Sequence, residues 1–146
     1  MRFACSSLLL LAACGDIPRD PEGTLDTVRA TRVIRVGAVG GAETGDAAAA
    51  RAVLRGVAAR TGATPRLTYG TLEPLLLRLE AGQLDLVVGA RFDAKSPWAT
   101  RVALGPAYAR RDEAGGVTAA HVVARNGENG WITLVARETR ARAGAR

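Results

Sequence analysis

The sequence predicts one α/β domain: a three-layer arrangement in which helices cover both faces of a mostly parallel sheet of four or five strands. Strand-like and helix-like segments alternate from residue 33 to residue 88. Their spacing allows right-handed helical crossovers, which join parallel strands. The Leu-Val-Val run in Leu84–Val88 is unbroken, as is typical of a strand that is covered on both faces.

The first half of the domain follows this alternation. Residues 24–31 predict a short helix capped by its first residue, and residues 33–38 predict the first strand. After a glycine-rich loop, Asp46 predicts the cap of a second helix that continues to about Arg60. Gly62 is placed where a helix typically stops.

The second half continues with a short strand over residues 66–69. Thr71 predicts the N-cap of a third helix. Pro74 then falls in the first turn of that helix, where backbone N–H groups have no acceptor within the helix, so proline is tolerated there. Gly82 ends this helix and leads into the third strand. Beyond it the sequence predicts a loop over residues 89–101, a partly extended segment over 103–108 and a turn or excursion over 110–116. Another strand over residues 121–124 and a final helix over 131–142 follow.

The first fifteen residues have the pattern of a secretory signal. Arg2 supplies a positive charge, and the apolar run Leu8–Ala13 is far shorter than the roughly 20 residues that span a bilayer. The run ends in Leu-Ala-Ala-Cys14, which resembles the bacterial lipobox, whose cysteine is acylated and becomes the first residue of the mature protein. Two other interpretations are open: a plain secreted protein in which Cys14 is incidental, and a buried helix start.

The lipobox resemblance implies a signal peptide over residues 1–13 and a lipidated cysteine with a linker over 14–23. The predicted domain, a single lobe, then covers residues 24–146. The partner implied is a membrane, reached through a lipid on Cys14, and the expected location is the periplasm. Gly15 follows the cysteine, where the inner-membrane retention signal would be aspartate, so the outer membrane is favoured.

Composition argues against nucleic acid as a partner. The net charge is +6, but aromatic residues are only 4% and the arginines are spread along the chain. Lys95 is the only lysine, which indicates a compositional bias towards arginine. The basic tail, Arg137–Arg146, has two interpretations: contact with anionic lipid headgroups, or a solvated helix end that suits the negative C-terminus of a helix.

No pattern in the sequence predicts catalysis, a metal or a cofactor. The glycines after the first strand do not form G-x-G-x-x-G, and no acidic residue follows the second strand. The single histidine, His121, lies at the start of a predicted strand, where a structural role is typical. We therefore expect a protein that is not an enzyme and holds no metal or cofactor.

Three segments resemble the periplasmic solute-binding proteins of polar amino-acid ABC transporters. The helix and first strand over residues 24–37 resemble the start of that family. The segment Leu79–Gly89 resembles its helix, turn and third strand, and residues 96–108 resemble its threonine-proline loop and the segment that enters the hinge. The resemblance implies a lobe that binds a small polar or anionic solute of the amino-acid class for transport or sensing.

The chain departs from that family in two respects. It has room for one lobe, so a short connection over residues 110–120 stands in place of the second lobe. Trp98 and Ala99 occupy the positions of the family's carboxylate-binding arginine, for which Arg91 or Arg101 are candidate substitutes. A homodimer is one way to restore a cleft.

Ligands of open α/β sheets bind beyond the carboxyl ends of the strands. The ligand-binding candidates at that edge are Gly41, Glu43, Thr44, Tyr69, Thr71, Arg91, Trp98 and Tyr108. Two hypotheses follow. The first is a lipid-anchored solute-binding lobe that serves a transporter or a sensor. The second is a non-catalytic interaction or scaffold lipoprotein that has lost ligand binding.

Overall fold

A computed structural model describes residues 20–40, 46–91, 96–113 and 116–143. The elements in these ranges are, in order, α1 (Thr24–Thr31), β1 (Val33–Val39), α2 (Ala47–Thr61), β2 (Thr64–Gly70), α3 (Leu72–Glu80), β3 (Leu86–Ala90), α4 (Trp98–Arg101), β4 (Val102–Glu113), β5 (Gly116–Arg125) and α5 (Asn129–Ala143). The predicted signal segment, Cys14, and the candidates Gly41, Glu43 and Thr44 lie outside the described residues.

The strands form one sheet in the order β2-β1-β3-β5-β4. β1 pairs in parallel with β2 and β3, whereas β5 is antiparallel to both of its neighbours, β3 and β4. Four strands therefore run in one direction and β5 runs against them. This confirms the predicted mostly parallel sheet, with β5 inserted between β3 and β4.

Helices cover both faces of the sheet, as predicted. On one face α1, α2 and α5 pack over a core that includes the buried side chains of Ile34, Leu86 and Trp131. On the other face α3 packs over a smaller core around Leu76 and Val123. The alternation of side chains along each strand divides the apolar residues between these two cores.

The segment predicted as a turn or excursion over residues 110–116 is instead part of a long β-hairpin. β4 continues to Glu113 and pairs with β5 through Ala109↔Ala120 and Arg111↔Thr118. Polar residues led to the turn prediction. They suit a strand here because Arg110 and Arg111 are exposed, so this part of the ribbon needs no apolar face. The hairpin occupies residues where the resemblance implied a short connection in place of the second lobe.

Predicted helix boundaries agree closely with the structure, but the predicted caps work differently. Gly62 ends α2 in the left-handed conformation, with φ 68°, and its N–H donates to Ala58. Asp46 and Thr71 stand at N-cap positions, yet neither side chain makes a cap hydrogen bond. Thr24 is the first residue of α1 and not its cap, because Gly23 occupies that position.

Two acidic side chains cap α1 and α5 across the fold. Glu128, which precedes α5, accepts hydrogen bonds from the backbone N–H groups of Glu22 (2.9 Å) and Thr24 (2.8 Å) at the start of α1. Asp20, which precedes α1, accepts hydrogen bonds from Gly130 (2.6 Å) and Trp131 (3.1 Å) at the start of α5. Residues that the sequence assigned to the linker are thus bonded to the domain.

The lobe is expected to fold without a second lobe. Both cores are formed within the described ranges, so the soluble chain from Asp16 to Arg146 should unfold in a single cooperative transition. Circular dichroism during thermal unfolding measures this. A helical signal that declines without a transition would contradict the prediction and would indicate that a partner completes the core.

Candidate functional site

The candidate site lies at the carboxyl ends of the parallel strands, where the order of the sheet reverses. β2 lies on one side of β1 and β3 on the other, and open α/β sheets bind ligands at such a point. A cavity of about 130 Å³ opens there between α2 and the sheet. Its polar lining includes Asp46, Arg51, Tyr69 and Tyr108, and its apolar lining includes Leu54 and Leu67.

Tyr108 forms the inner wall of the cavity and connects β4 to β3. Its side chain is buried, and its phenol oxygen accepts a 2.6 Å hydrogen bond from the N–H of Gly89. Burial raises the pKa of Tyr108 to about 12, so the phenol stays protonated in any physiological medium. Gly89 has φ 81°, and a Cβ there would lie 3.2 Å from the carbonyl oxygen of Val39. A glycine is therefore required where the ends of β1 and β3 meet.

A cluster of charges borders the cavity at the N-terminus of α2. Asp46 forms an ion pair with Arg91, which follows β3, and lies 3.8 Å from a guanidinium nitrogen of Arg111 on β4. Arg91 also donates a 2.7 Å hydrogen bond to the hydroxyl of Thr118 on β5. Because Asp46 is engaged by two arginines, it connects α2 to the hairpin instead of capping its own helix.

The structure brings together some of the predicted site residues. Tyr69 and Tyr108 line the cavity, and Arg91 adjoins it through Asp46. Thr71 and Trp98 are not among the residues that line it. Trp98 packs against the core on the α3 side, and the guanidinium of Arg101 lies 4.4 Å from its ring centroid.

Sequence reasoning missed most of the residues that line the cavity, among them Asp46, Arg51 and Leu67. Asp46 was predicted only as a helix cap, because its partner Arg91 is 45 positions away along the chain. Arg51 is on the first part of α2 and was not singled out. Leu67 lies two residues before Tyr69, so strand alternation places both on one face and could have predicted its position.

The described ranges contain neither a metal-binding cluster nor a helix that could span a membrane. No three His, Cys, Asp or Glu residues there are arranged to hold a metal ion. His121 has its Nδ1 atom 2.8 Å from the carbonyl oxygen of Gly105, a contact within the hairpin. No helix in that part of the chain has the length and apolar character needed to cross a membrane.

Comparison with known proteins identifies the fold. No protein-family model matches the sequence, and no curated protein matches it. The arginine-bound form of domain 1 from TmArgBP is similar in structure, with a TM-score of 0.66 at 13% identity over 80% of this chain and 98% of that chain. An ancestral cationic amino acid solute-binding protein has a TM-score of 0.63 at 11% identity, over 81% of this chain and 93% of that chain. At such low identity, the similarity establishes that this chain has the single-lobe α/β fold of a periplasmic binding protein domain.

Proposed function

We propose that this chain is an extracytoplasmic solute-binding lobe, held at a membrane by a lipid on Cys14, that binds a small polar or anionic solute of the amino-acid class for transport or sensing. The observation that carries the proposal is the cavity at the carboxyl edge, which combines apolar walls with a few converging polar groups. The structural neighbours support the same class: one is arginine-bound and the other is a cationic amino acid binding protein.

The size and charge of the site limit what it can bind. A cavity of about 130 Å³ accommodates a small solute or the side chain of a larger one. The start of α2 at Ala47 offers backbone N–H groups at the cavity, and Arg51 and Arg91 add positive charge beside it. Since a single lobe leaves part of the ligand in water, we expect weak binding that decreases as salt screens the charges.

Removing Arg91 should weaken the binding of an anionic solute. The Arg91→Ala variant leaves Asp46 without its closest cation, so the carboxylate repels an incoming anion and the affinity should fall about tenfold. Isothermal calorimetry with a panel of amino acids and organic acids measures the change. Arg140→Ala, which alters an exposed residue of α5 outside the cavity, is the matched control and should leave the affinity unchanged.

A second candidate function is an interaction module that has lost its ligand. It is favoured by the exposure of Leu67 (42%) and Tyr69 (50%) at the mouth of the cavity on the edge strand β2. A transporter subunit or a second copy of the chain would then cover these side chains. If calorimetry detects no binding of any solute in the panel up to millimolar concentrations, this candidate is favoured. A solute that the monomer binds at nanomolar concentration would contradict the expectation of weak binding.

A further inference from the structure

The two helical layers carry very different charge. α2 contains three arginines and no acidic residue, and α5 contains three arginines and one acidic residue, Glu138. On the other face of the sheet α3 has one arginine and two glutamates, and Arg101 of α4 pairs with one of them, Glu80. α2 and α5 together therefore carry a net charge of +5, whereas α3 and α4 together carry none.

α2 and α5 lie side by side and present their arginines on a common surface. The side chain of Glu138 is only 5% exposed and lies between the two helices, where it pairs with Arg60 (3.0 Å) and Arg142 (3.2 Å). Gly56 allows this packing, because a Cβ there would lie 2.8 Å from the guanidinium of Arg142. The exposed or partly exposed arginines of these two helices outside the cavity, here called the basic face, are Arg55, Arg60, Arg137, Arg140 and Arg142.

We propose that the basic face docks on a bilayer surface that contains anionic phospholipid. Arginines at a membrane surface are attracted by anionic headgroups, and their guanidinium groups form paired hydrogen bonds with phosphate. The single acidic side chain of these two helices is buried between them, so no carboxylate of α2 or α5 opposes the approach of a phosphate. Docking through this surface requires no solute in the cavity.

The path of the chain towards Cys14 favours a membrane as the occupant. Asp20 is hydrogen-bonded to the first turn of α5, so the chain enters the fold beside a helix of the basic face. The segment from Cys14 to Asp20 spans at most about 20 Å when fully extended. A lipid on Cys14 would hold this layer near the bilayer, where a basic patch supplies a second attachment signal.

Binding to lipid vesicles tests the proposal. The chain from residue 14 onward, with Cys14→Ser, lacks both the lipid and the apolar signal segment, and co-flotation compares pure phosphatidylcholine vesicles with vesicles that also contain phosphatidylglycerol. We expect tighter binding to the anionic vesicles and loss of the difference at high salt. Combining Arg55→Gln, Arg137→Gln and Arg140→Gln should weaken binding to anionic vesicles about tenfold or more.

The control combines Arg66→Gln, Arg78→Gln and Arg110→Gln, which remove the same charge from β2, α3 and β4. The affinity of this control for anionic vesicles should stay within about twofold of that of the parent chain, because these residues lie outside the basic face. Thermal unfolding verifies that both variants are folded. A double variant, Arg55→Gln with Arg140→Gln, keeps every ion pair of Glu138 and should still weaken binding.

Three outcomes would overturn the proposal. Equal binding to neutral and anionic vesicles would show that headgroup charge is not recognised. Equal losses in the test and control variants would show that net charge acts without a particular face. Retention on immobilised polyglutamate through the basic face, with no preference for anionic vesicles, would assign the face to an acidic protein instead.

Discussion

The Cys14→Ser variant is expected to leave the membrane fraction and to be recovered in the soluble extracytoplasmic fraction. Serine lacks the thiol that accepts the lipid, and two or more acyl chains give stable anchoring where one chain is marginal. Fractionation after a high-salt wash measures the change, because the wash screens attraction between the basic face and headgroups. Incorporation of labelled palmitate provides an independent measurement and should be lost in the variant.

The other cysteine of the chain provides the control for this experiment. Cys5 lies in the segment that the lipobox interpretation removes, so Cys5→Ser should remain in the membrane fraction with normal palmitate labelling. If Cys14→Ser stays with the membrane after the wash, and the parent chain incorporates no palmitate, the lipoprotein interpretation is wrong.

Replacing Glu128 should cost much more stability than replacing an exposed acidic residue. Its side chain is fully buried and accepts hydrogen bonds from the N–H groups of Glu22 and Thr24. Glu128→Ala leaves both donors without this acceptor and removes a charge that faces Arg125 at 4.0 Å. We expect the free energy of unfolding to fall by about 3–5 kcal/mol, measured by chemical denaturation.

A matched control is Glu73→Ala, which removes an exposed glutamate from the first turn of α3. This substitution should lower the free energy of unfolding by about 1 kcal/mol or less, because an exposed charge near a helix N-terminus adds little stability. Similar losses in Glu73→Ala and Glu128→Ala would contradict the view that the buried carboxylate holds α1 and α5 together.

The same carboxylate should make stability depend on pH. Burial raises the pKa of Glu128, but hydrogen bonds from Thr24 and Glu22 and the charge of Arg125 outweigh it, so the pKa falls below its ordinary value of 4.5. The folded state then favours the charged form. The stabilisation that the charged Glu128 carboxylate gives the folded state is present above pH 4.5, and it is lost as pH falls through the lower pKa of this group in the folded protein. Glu128→Gln should therefore be less stable near neutral pH and lose less stability on acidification.

The sequence predicted the elements with strong local signals. The bounds of α1 match those of the predicted helix, and Gly62 ends α2 because the helix terminates in a left-handed conformation. β3 was predicted from an apolar run, and its residues Leu86 and Val87 are fully buried. The hairpin was missed, because Arg110 and Arg111 are exposed and strand pairing there depends on partners in β5 rather than on local apolar pattern.

The candidate site was predictable only in part. Placing Tyr69 and Tyr108 at the carboxyl edge required only strand direction, and both line the cavity. The ion pair between Asp46 and Arg91 joins residues that come close only when α2 and β3 are assembled, so no local pattern reports it. The basic face is likewise hidden in the sequence, since arginines that are spread along the chain converge only when α2 packs beside α5.

Glu128 caps α1 and Asp20 caps α5, and these long-range bonds affect when the chain can complete its fold. The hydrogen bonds involved join residues that are 104 to 111 positions apart. During synthesis from the N-terminus, Glu128 cannot cap α1 until nearly all of the residues have been added. Contacts of such long range slow folding. We therefore expect the protein to complete its fold only after its last helix has been synthesised.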